Sequence, residues 1–358
     1  MSTRREFLVG SAAISALSVA DGLPGGDTPT KSNPIMRSYR IPRTDLDVSR
    51  IAFGCDRLGR DGVPADAVTA DDISQAVRIV NVAHEQGITL FDTADVYGLG
   101  QSEALLGHAL KESPGLRNRV AIQSKCGVQS GLAYTAILGA VAGSLQRLGT
   151  DYLDILLLHS HDPLMEPQEV AKALDELKRS GKVRHFGVSN HTITRIEILK
   201  KYVRQPLVVN QIQLGLAHPD LLDEAYFNGA GFQLVGPYTG IAGLDYCRLN
   251  DMQVQAYSPL RGKSVFGTAE LLGPPTDAPP ELKEVARKLH EMAAQKGTTP
   301  APLALAWLLG HPGHILPIIG AKRTEHIVEC CAADKVVLSR EEWIALFWSA
   351  MNPPWYRG

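Results

Sequence analysis

The sequence predicts an α/β protein, a (β/α)8 TIM barrel with an extended loop after the sixth strand and a C-terminal extension. Eight short apolar runs alternate with longer segments whose apolar residues recur three or four apart, the pattern of strands followed by helices. The alternative is a pair of doubly wound domains. No Gly-x-Gly-x-x-Gly turn follows the first run, and this absence favours the barrel.

The predicted strands, in chain order, are 50–54, 89–92, 120–125, 152–159, 185–190, 208–214, 254–258 and 315–320. Helices are predicted between them, among others at 72–86, 167–180 and 280–296. Residues 37–358 exceed the about 250 of a plain barrel, so we expect added loops and a C-terminal extension around one domain.

Two aromatic-rich segments account for part of this excess. The connection after the sixth strand, 219–243, is expected either to line the substrate pocket or to pack on itself; its aromatic residues are Tyr226, Phe227, Phe232 and Tyr238. The tail is expected to close over the pocket or to cover the barrel; it carries Trp348, Met351, Trp355 and Tyr356.

The composition excludes several classes of protein. The chain has 358 residues, of which 44% are hydrophobic, so a full core can form. It has 36 Lys and Arg against 38 Asp and Glu, and this balance disfavours a nucleic-acid partner because such binding rests on clustered positive charge. The five cysteines show neither CxxC nor zinc spacing, so no disulfide framework or metal is predicted.

The N-terminus resembles a twin-arginine signal peptide over residues 1–20. Arg4 and Arg5 precede a mild apolar run from Val9 to Ala20, which is shorter than the about 20 residues of a membrane span. We therefore expect no membrane span and export to the periplasm or cell envelope, with residues 21–36 as a linker. The alternative is a disordered tail on a cytoplasmic protein.

Four polar residues fall at or after the carboxyl ends of three consecutive predicted strands. Asp92 ends the second strand, Tyr97 follows five residues later, Lys125 ends the third strand and His159 ends the fourth. Functional residues of such barrels lie at this face. Each alone has an ordinary structural explanation, but together they form one chemically matched set.

These residues predict carbonyl chemistry. A lysine ammonium near a tyrosine is expected to lower the phenol pKa, and a carboxylate would keep that lysine charged. The phenol could then donate a proton to a carbonyl oxygen that a histidine orients. The companion hydride requires a cofactor.

Longer motifs carry a resemblance to a known family. The stretches FDTADVYGLGQSE, QSKCG, ELKRSGKVRHFGVSN, VVNQIQL and LPIIGAKRTEHIVE occur in the order typical of aldo/keto reductases. Residues 37–343 resemble that family, and the segments DPLMEP and DYCRLND are similar to a bacterial oxidoreductase subgroup. The resemblance implies a (β/α)8 barrel that binds NADP(H), and a catalytic tetrad of Asp92, Tyr97, Lys125 and His159.

The resemblance also implies a cofactor site. Ser189, Asn190 and Gln211 correspond to residues that bind the nicotinamide amide, and Tyr257 to the aromatic that stacks on its ring. The remaining implied positions flank the first strand, the pyrophosphate loop and the adenosine site: Gly54, Ser258, Leu260, Gly320, Lys322, Arg323, His326 and Glu329. Lys322 and Arg323 suit a ribose 2′-phosphate, so NADP is expected over NAD.

Three positions depart from the family pattern. Cys330 stands where an asparagine usually meets the adenine, and His326 where an arginine is common. A thiol is a weak hydrogen-bond partner, so looser adenine binding is expected. Cys55 stands where a threonine often helps to hold the ribose.

Two other functions remain open at the level of sequence. The pair His159 and His161 at a strand end is the local pattern of a metal-dependent barrel hydrolase, although no matching His and Asp set follows. The second alternative is a non-catalytic module that senses NADP(H). The expected partner is a small carbonyl substrate; its identity and the oligomeric state stay open.

Overall fold

The chain is described here by a computed structural model that covers residues 36–59, 65–219, 222, 243–261, 271–273 and 280–351. All of them belong to one compact unit, 34–358. Its centre is a closed barrel of eight strands, in which every neighbouring pair is parallel. The predicted (β/α)8 barrel is therefore confirmed.

The barrel strands follow chain order around the ring, and the last pairs with the first. They are β3 (Ala52–Gly54), β4 (Leu90–Asp92), β5 (Ala121–Cys126), β6 (Leu153–Leu158), β7 (Val183–Ser189), β8 (Leu207–Gln213), β9 (Gln253–Tyr257) and β10 (Leu316–Ile319). Each overlaps one predicted run.

A short antiparallel hairpin precedes the barrel, and the sequence did not predict it. Its strands are β1 (Ser38–Arg40) and β2 (Asp47–Ser49). Ile41 and Val48 of the hairpin share an apolar cluster with inward strand residues such as Leu90 and Leu316. The hairpin thus closes the amino-terminal end of the barrel and leaves the carboxyl end open.

Helices surround the barrel and bury their apolar faces against the outside of the strands. They are α1 (Ala70–Glu85), α2 (Gln101–Glu112), α3 (Tyr134–Leu148), α4 (Pro167–Arg179), α5 (Ile193–Tyr202), α6 (Leu244–Leu249), α7 (Pro280–Gln295), α8 (Pro300–Leu309), α9 (Thr324–Cys331) and α10 (Arg340–Met351). Helix α1 begins two residues before the prediction because Thr69 and Asp72 form a reciprocal capping box.

The described part of the tail lies in α10. There Trp343 stacks on Trp307 of α8 at 5.0 Å between ring centroids, and Trp348 packs against Phe347. These contacts place α10 on the outer helical layer. Trp355 and Tyr356 lie outside the described residues.

Other expectations also fall outside the described part of the chain. The leader at 1–20, all but the last residue of the linker, and nearly all of the connection at 219–243 belong to this group. Within the ranges that are described, no helix is long and apolar enough to cross a bilayer.

Candidate active site

The fold brings the four predicted catalytic residues to the open end of the barrel. Asp92 is the last residue of β4, and Tyr97 begins the 3-10 turn that follows this strand. Lys125 lies near the end of β5, and His159 directly follows β6. The three strands are neighbours in the sheet, so the side chains converge.

Lys125 is the centre of this group. Its Nζ donates to Oδ2 of Asp92 at 2.7 Å, to the carbonyl of Thr93 at 2.9 Å and to the phenol oxygen of Tyr97 at 2.9 Å. The lysine is fully buried and Asp92 is 2% exposed. All three ammonium donors are therefore satisfied, which is what makes a buried charge tolerable.

The expectation that Lys125 gives Tyr97 a lowered pKa is wrong in its net sign. Burial of the phenol raises the pKa of Tyr97 to about 12, and the nearby Lys125 ammonium offsets only part of this effect. Desolvation disfavours a phenolate more than one cation at 2.9 Å stabilises it. Tyr97 is thus fully protonated at neutral pH.

Lys125 and His159 each hold one charge state near neutral pH. Burial alone would lower the pKa of Lys125, but Asp92 and Tyr97 raise it above its usual range, so the ammonium persists. Burial and the Lys125 charge lower the pKa of His159 to about 3, so this ring is neutral. Its plane is nearly perpendicular to that of Tyr97, with 5.8 Å between ring centroids.

Asp95 lies in the turn between Asp92 and Tyr97, and sequence reasoning did not select it. Burial, together with the nearby Glu103 carboxylate, raises the pKa of Asp95 to about 6. Its Oδ1 has no hydrogen-bond partner among the described residues. No sequence pattern signals this raised pKa, because it depends on how the turn folds against α2.

A cleft of about 680 Å³ opens beside the catalytic group. Its lining includes Asp92 and Tyr97 of the catalytic group and Glu329 and Cys330 of α9. Six further residues of the predicted cofactor site border it: Gly54, Tyr257, Ser258, Leu260, Gly320 and His326. Asp56, Arg57 and Arg261 also line the cleft and were not predicted.

The residues expected to hold the nicotinamide amide lie at the ends of β7 and β8. The hydroxyl of Ser189 donates to the backbone carbonyl of Gln211 at 3.0 Å, and Asn190 donates to that hydroxyl at 3.1 Å. Tyr257 in turn donates its phenol hydrogen to Oδ1 of Asn190 at 3.1 Å. The four residues thus form one connected group.

The amide of Gln211 points to the catalytic carboxylate. Its Nε2 donates to Oδ1 of Asp92 at 2.9 Å, and its side chain is almost fully buried. Sequence reasoning did not anticipate this contact, because it joins strands on opposite sides of the barrel.

The predicted adenosine residues surround the start of α9. His326 and Glu329 line the cleft, and Thr299 donates to the Glu329 carboxylate at 2.5 Å. Lys322 and Arg323 lie just before the helix and are exposed. A guanidinium nitrogen of Arg323 contacts the His326 ring. The two cations therefore stand beside the cleft rather than on its wall.

The two cysteines that depart from the family pattern, Cys55 and Cys330, differ in their surroundings. Cys330 is nearly buried but borders the cleft. Cys55 is fully buried, and burial raises its pKa well above the usual range, so its thiol is not presented to the cleft as a ribose partner.

The metal alternative gains no support from the described residues. They contain no group of three or more His, Cys, Asp or Glu side chains arranged to hold an ion. His159 turns its ring toward Tyr97, and His161 is exposed.

The family assignment follows from comparison with known proteins. The model of the aldo/keto reductase family matches residues 50–346, which span all eight barrel strands. The chain belongs to the aldo/keto reductase family.

Individual relatives agree with this assignment. A 6-dehydroglucose reductase of Agrobacterium fabrum is 33% identical over 327 residues, which cover 87% of this chain and 98% of the relative. An NADH-specific methylglyoxal reductase of Escherichia coli is 30% identical over 85% of this chain and 95% of the relative. The crystal structure of an aldo-keto reductase from Klebsiella pneumoniae in complex with NADPH superimposes with a TM-score of 0.64, at 27% identity, over 87% of this chain and 94% of that chain.

Proposed function

We propose that the chain is an NADP(H)-dependent reductase that converts an aldehyde or ketone to an alcohol, with Tyr97 as the proton donor. The observation that carries this proposal is the contact of the Lys125 ammonium with both Asp92 and the Tyr97 phenol at the mouth of the cleft. Two of the relatives are named for the reduction of carbonyl compounds, which supports the reaction class.

The residues around the cleft fit a nicotinamide dinucleotide. Tyr257 lines the cleft and offers it an aromatic side chain, and its phenol is held by Oδ1 of Asn190. A Cβ added at Gly320 would meet only the Gly54 carbonyl at 3.6 Å, so backbone lines an open stretch of wall there. When bound, the dinucleotide supplies the hydride that no side chain can provide.

Tyr97 suits the role of general acid in the reductive direction. Its phenol is protonated at neutral pH, so the proton is already in place when the carbonyl oxygen gains negative charge. Lys125 donates to the phenol oxygen and stabilises the phenolate that remains after the transfer. Asp92 keeps Lys125 oriented through the contact at 2.7 Å.

His159 acts as a neutral hydrogen-bond donor. Its low pKa keeps the ring uncharged, so one ring nitrogen carries a hydrogen and can donate to the substrate oxygen. A neutral donor does not compete with Tyr97 for the role of acid. The ring lies close to Tyr97, so both can reach one oxygen atom.

The preference for NADP rests on Lys322 and Arg323. Both cations are exposed beside the adenosine end of the cleft, where they can meet a 2′-phosphate. The relative solved with NADPH supports this choice. The NADH-specific relative shows that the family also contains the opposite preference, so the cofactor must be tested directly.

Multiple-turnover NADPH oxidation tests the proposed function. The protein without residues 1–20 is assayed with aldehydes, ketones, quinones and sugars, and NADH is run in parallel. We expect catalytic oxidation of NADPH with at least one carbonyl compound and a lower kcat/KM with NADH. Binding of NADPH without turnover on any substrate would instead favour the sensor alternative.

We further propose that residues 1–20 direct export through the twin-arginine route. The paired Arg4 and Arg5 and the following apolar run support this. Replacement of both arginines by lysine should retain the protein in the cytoplasm of a host with that route, as measured by fractionation. Equal periplasmic amounts of both forms would contradict export by this signal.

A further inference from the structure

One aspartate and three glutamines form a connected polar layer inside the barrel. Gln123 and Gln255 are fully buried, and Asp92 and Gln211 are each 2% exposed. The strand register pairs Asp92 with Gln123 and, on the opposite side of the ring, Gln211 with Gln255. The interiors of (β/α)8 barrels are filled mainly by branched apolar residues, so a polar layer at this place requires a functional explanation.

The carboxylate fixes the orientation of every amide in the layer. An ionised carboxylate only accepts hydrogen bonds, so Gln123 and Gln211 must turn their Nε2 atoms to Oδ1 of Asp92, at 2.6 and 2.9 Å. Their second hydrogens go to Oε1 of Gln255, at 2.7 and 3.1 Å. Nε2 of Gln255 then donates back to Oε1 of Gln123 at 3.0 Å.

The layer occupies one carboxylate oxygen of Asp92 and leaves the other to bind Lys125. Oδ1 is held by two amides, one from the neighbouring strand β5 and one from β8 across the barrel, and Oδ2 is turned to Lys125. If one amide is lost, the carboxylate can rotate and Lys125 can leave the phenol of Tyr97. A buried polar network whose members are all paired is rigid, whereas a partly paired one is not.

We propose that Gln123 and Gln255 are positioning residues, which hold the Asp92 carboxylate so that Lys125 stays on the Tyr97 phenol. Neither glutamine lies on the cleft wall, and each acts only through the layer. The inference rests on the proposed function, because its kinetic consequence is weaker proton donation by Tyr97.

Gln255→Met tests the inference against a matched control, Gln253→Met. Gln253 lies two residues earlier on β9 and is 3% exposed, but its amide donates to the carbonyls of Val254 and His314, whereas Gln255 bonds to Gln123 and Gln211 of the layer. We expect Gln255→Met to lower kcat at least tenfold, with the Kd for NADPH within threefold. Gln253→Met should keep kcat within twofold. Equal kcat values in the two variants would overturn the proposal.

Gln255→Glu adds a second measurement, the pH dependence of activity, which would not change if Gln255 had only a structural role. A protonated glutamic acid offers the same donor and acceptor as glutamine, whereas its anion cannot donate to Gln123. The charged and titratable groups that face it are Asp92 from β4, Lys125 from β5 and the Tyr97 phenol. The activity relative to wild type should therefore fall as pH rises. If the activity of Gln255→Glu relative to wild type does not depend on pH, the inference is contradicted. This test applies even if Gln255→Met does not fold.

A crystal structure of Gln255→Met without cofactor separates this inference from the proposed function. We expect the distance from Lys125 Nζ to the Tyr97 oxygen to exceed 3.5 Å, instead of the present 2.9 Å. An unchanged distance would refute positioning by the layer, whether or not the wild type reduces carbonyls. Failure of the wild type to oxidise NADPH would refute the proposed function alone.

Discussion

The phenol oxygen of Tyr97 accepts a hydrogen bond from Nζ of Lys125 at 2.9 Å, and the lysine side chain is fully buried. The ammonium also lies 4.5 Å from the centre of the Tyr97 ring. Two effects of opposite sign act on the phenol pKa: burial raises it and the Lys125 cation lowers it. Tyr97 therefore keeps its proton at neutral pH and has a partner that stabilises the phenolate after the proton leaves.

Lys125→Met should lower kcat for carbonyl reduction by about 10²- to 10⁴-fold, the range of general acid catalysis. The phenolate then loses its cation, and the phenol becomes a poorer acid. Steady-state kinetics with NADPH measure the effect.

Stability must be controlled in this variant, because it leaves the Asp92 carboxylate buried without its cation. We expect a loss of about 3 to 5 kcal/mol in the free energy of unfolding. The double variant Asp92→Asn/Lys125→Met should recover most of this stability but not the activity. Recovery of activity together with stability would show that Lys125 only maintains the fold.

His159→Gln and His159→Ala should differ in activity. Since the ring is neutral at pH 7, a glutamine amide can supply a similar neutral donor, and we expect kcat/KM to stay within about tenfold of wild type. His159→Ala removes the donor and should cost about 10²-fold or more. Comparable losses in both variants would indicate that an imidazolium is required.

Asp95→Asn should stabilise the protein at neutral pH. The folded state raises the pKa of Asp95 from 3.8 to about 6, so it binds this proton more tightly than the unfolded state does. The contribution of this bound proton to the free energy of unfolding is fully present below pH 3.8 and is lost as pH rises through 6.

Chemical denaturation at two pH values measures this effect. At pH 7.5 the asparagine variant should gain about 1 to 3 kcal/mol in the free energy of unfolding. Near pH 3.5 the gain should vanish, because the wild-type carboxyl is then protonated in both states. An equal gain at both pH values would assign the effect to something other than ionisation.

Lys322→Ala/Arg323→Ala should change cofactor choice without changing the chemical step. Loss of two charge-assisted contacts to a 2′-phosphate should raise the Kd for NADPH by about tenfold or more, with little effect on NADH. Fluorescence titration of both dinucleotides checks this. Lys335→Ala, which removes an exposed lysine that is not among the predicted cofactor residues, is a control for the loss of a positive charge. Equal weakening of NADH binding would argue against a phosphate contact.

The barrel was predictable because its strands are short apolar runs that alternate with helical patterns, and because no Gly-x-Gly-x-x-Gly turn follows the first run. The hairpin of β1 and β2 was missed because its short strands, SYR and DVS, are mostly polar and form no apolar run. The catalytic group was also predictable, since Asp92, Lys125 and His159 stand at the ends of successive strands.

Properties that arise between distant segments were not predictable. The net pKa of Tyr97 depends on how deeply the turn buries the phenol, which no spacing encodes. The layer of Asp92, Gln123 and Gln255 joins opposite sides of the barrel. Its only sequence signal is the presence of glutamines at inward positions of β5 and β9.

The most direct test of the account is Tyr97→Phe. This variant keeps the ring but removes the phenol oxygen, so NADPH binding should be nearly unchanged in a fluorescence titration. In the same protein preparation, NADPH oxidation with a carbonyl substrate that the wild type reduces should fall by at least about 10²-fold. Retention of wild-type turnover by Tyr97→Phe would contradict Tyr97 as the proton donor.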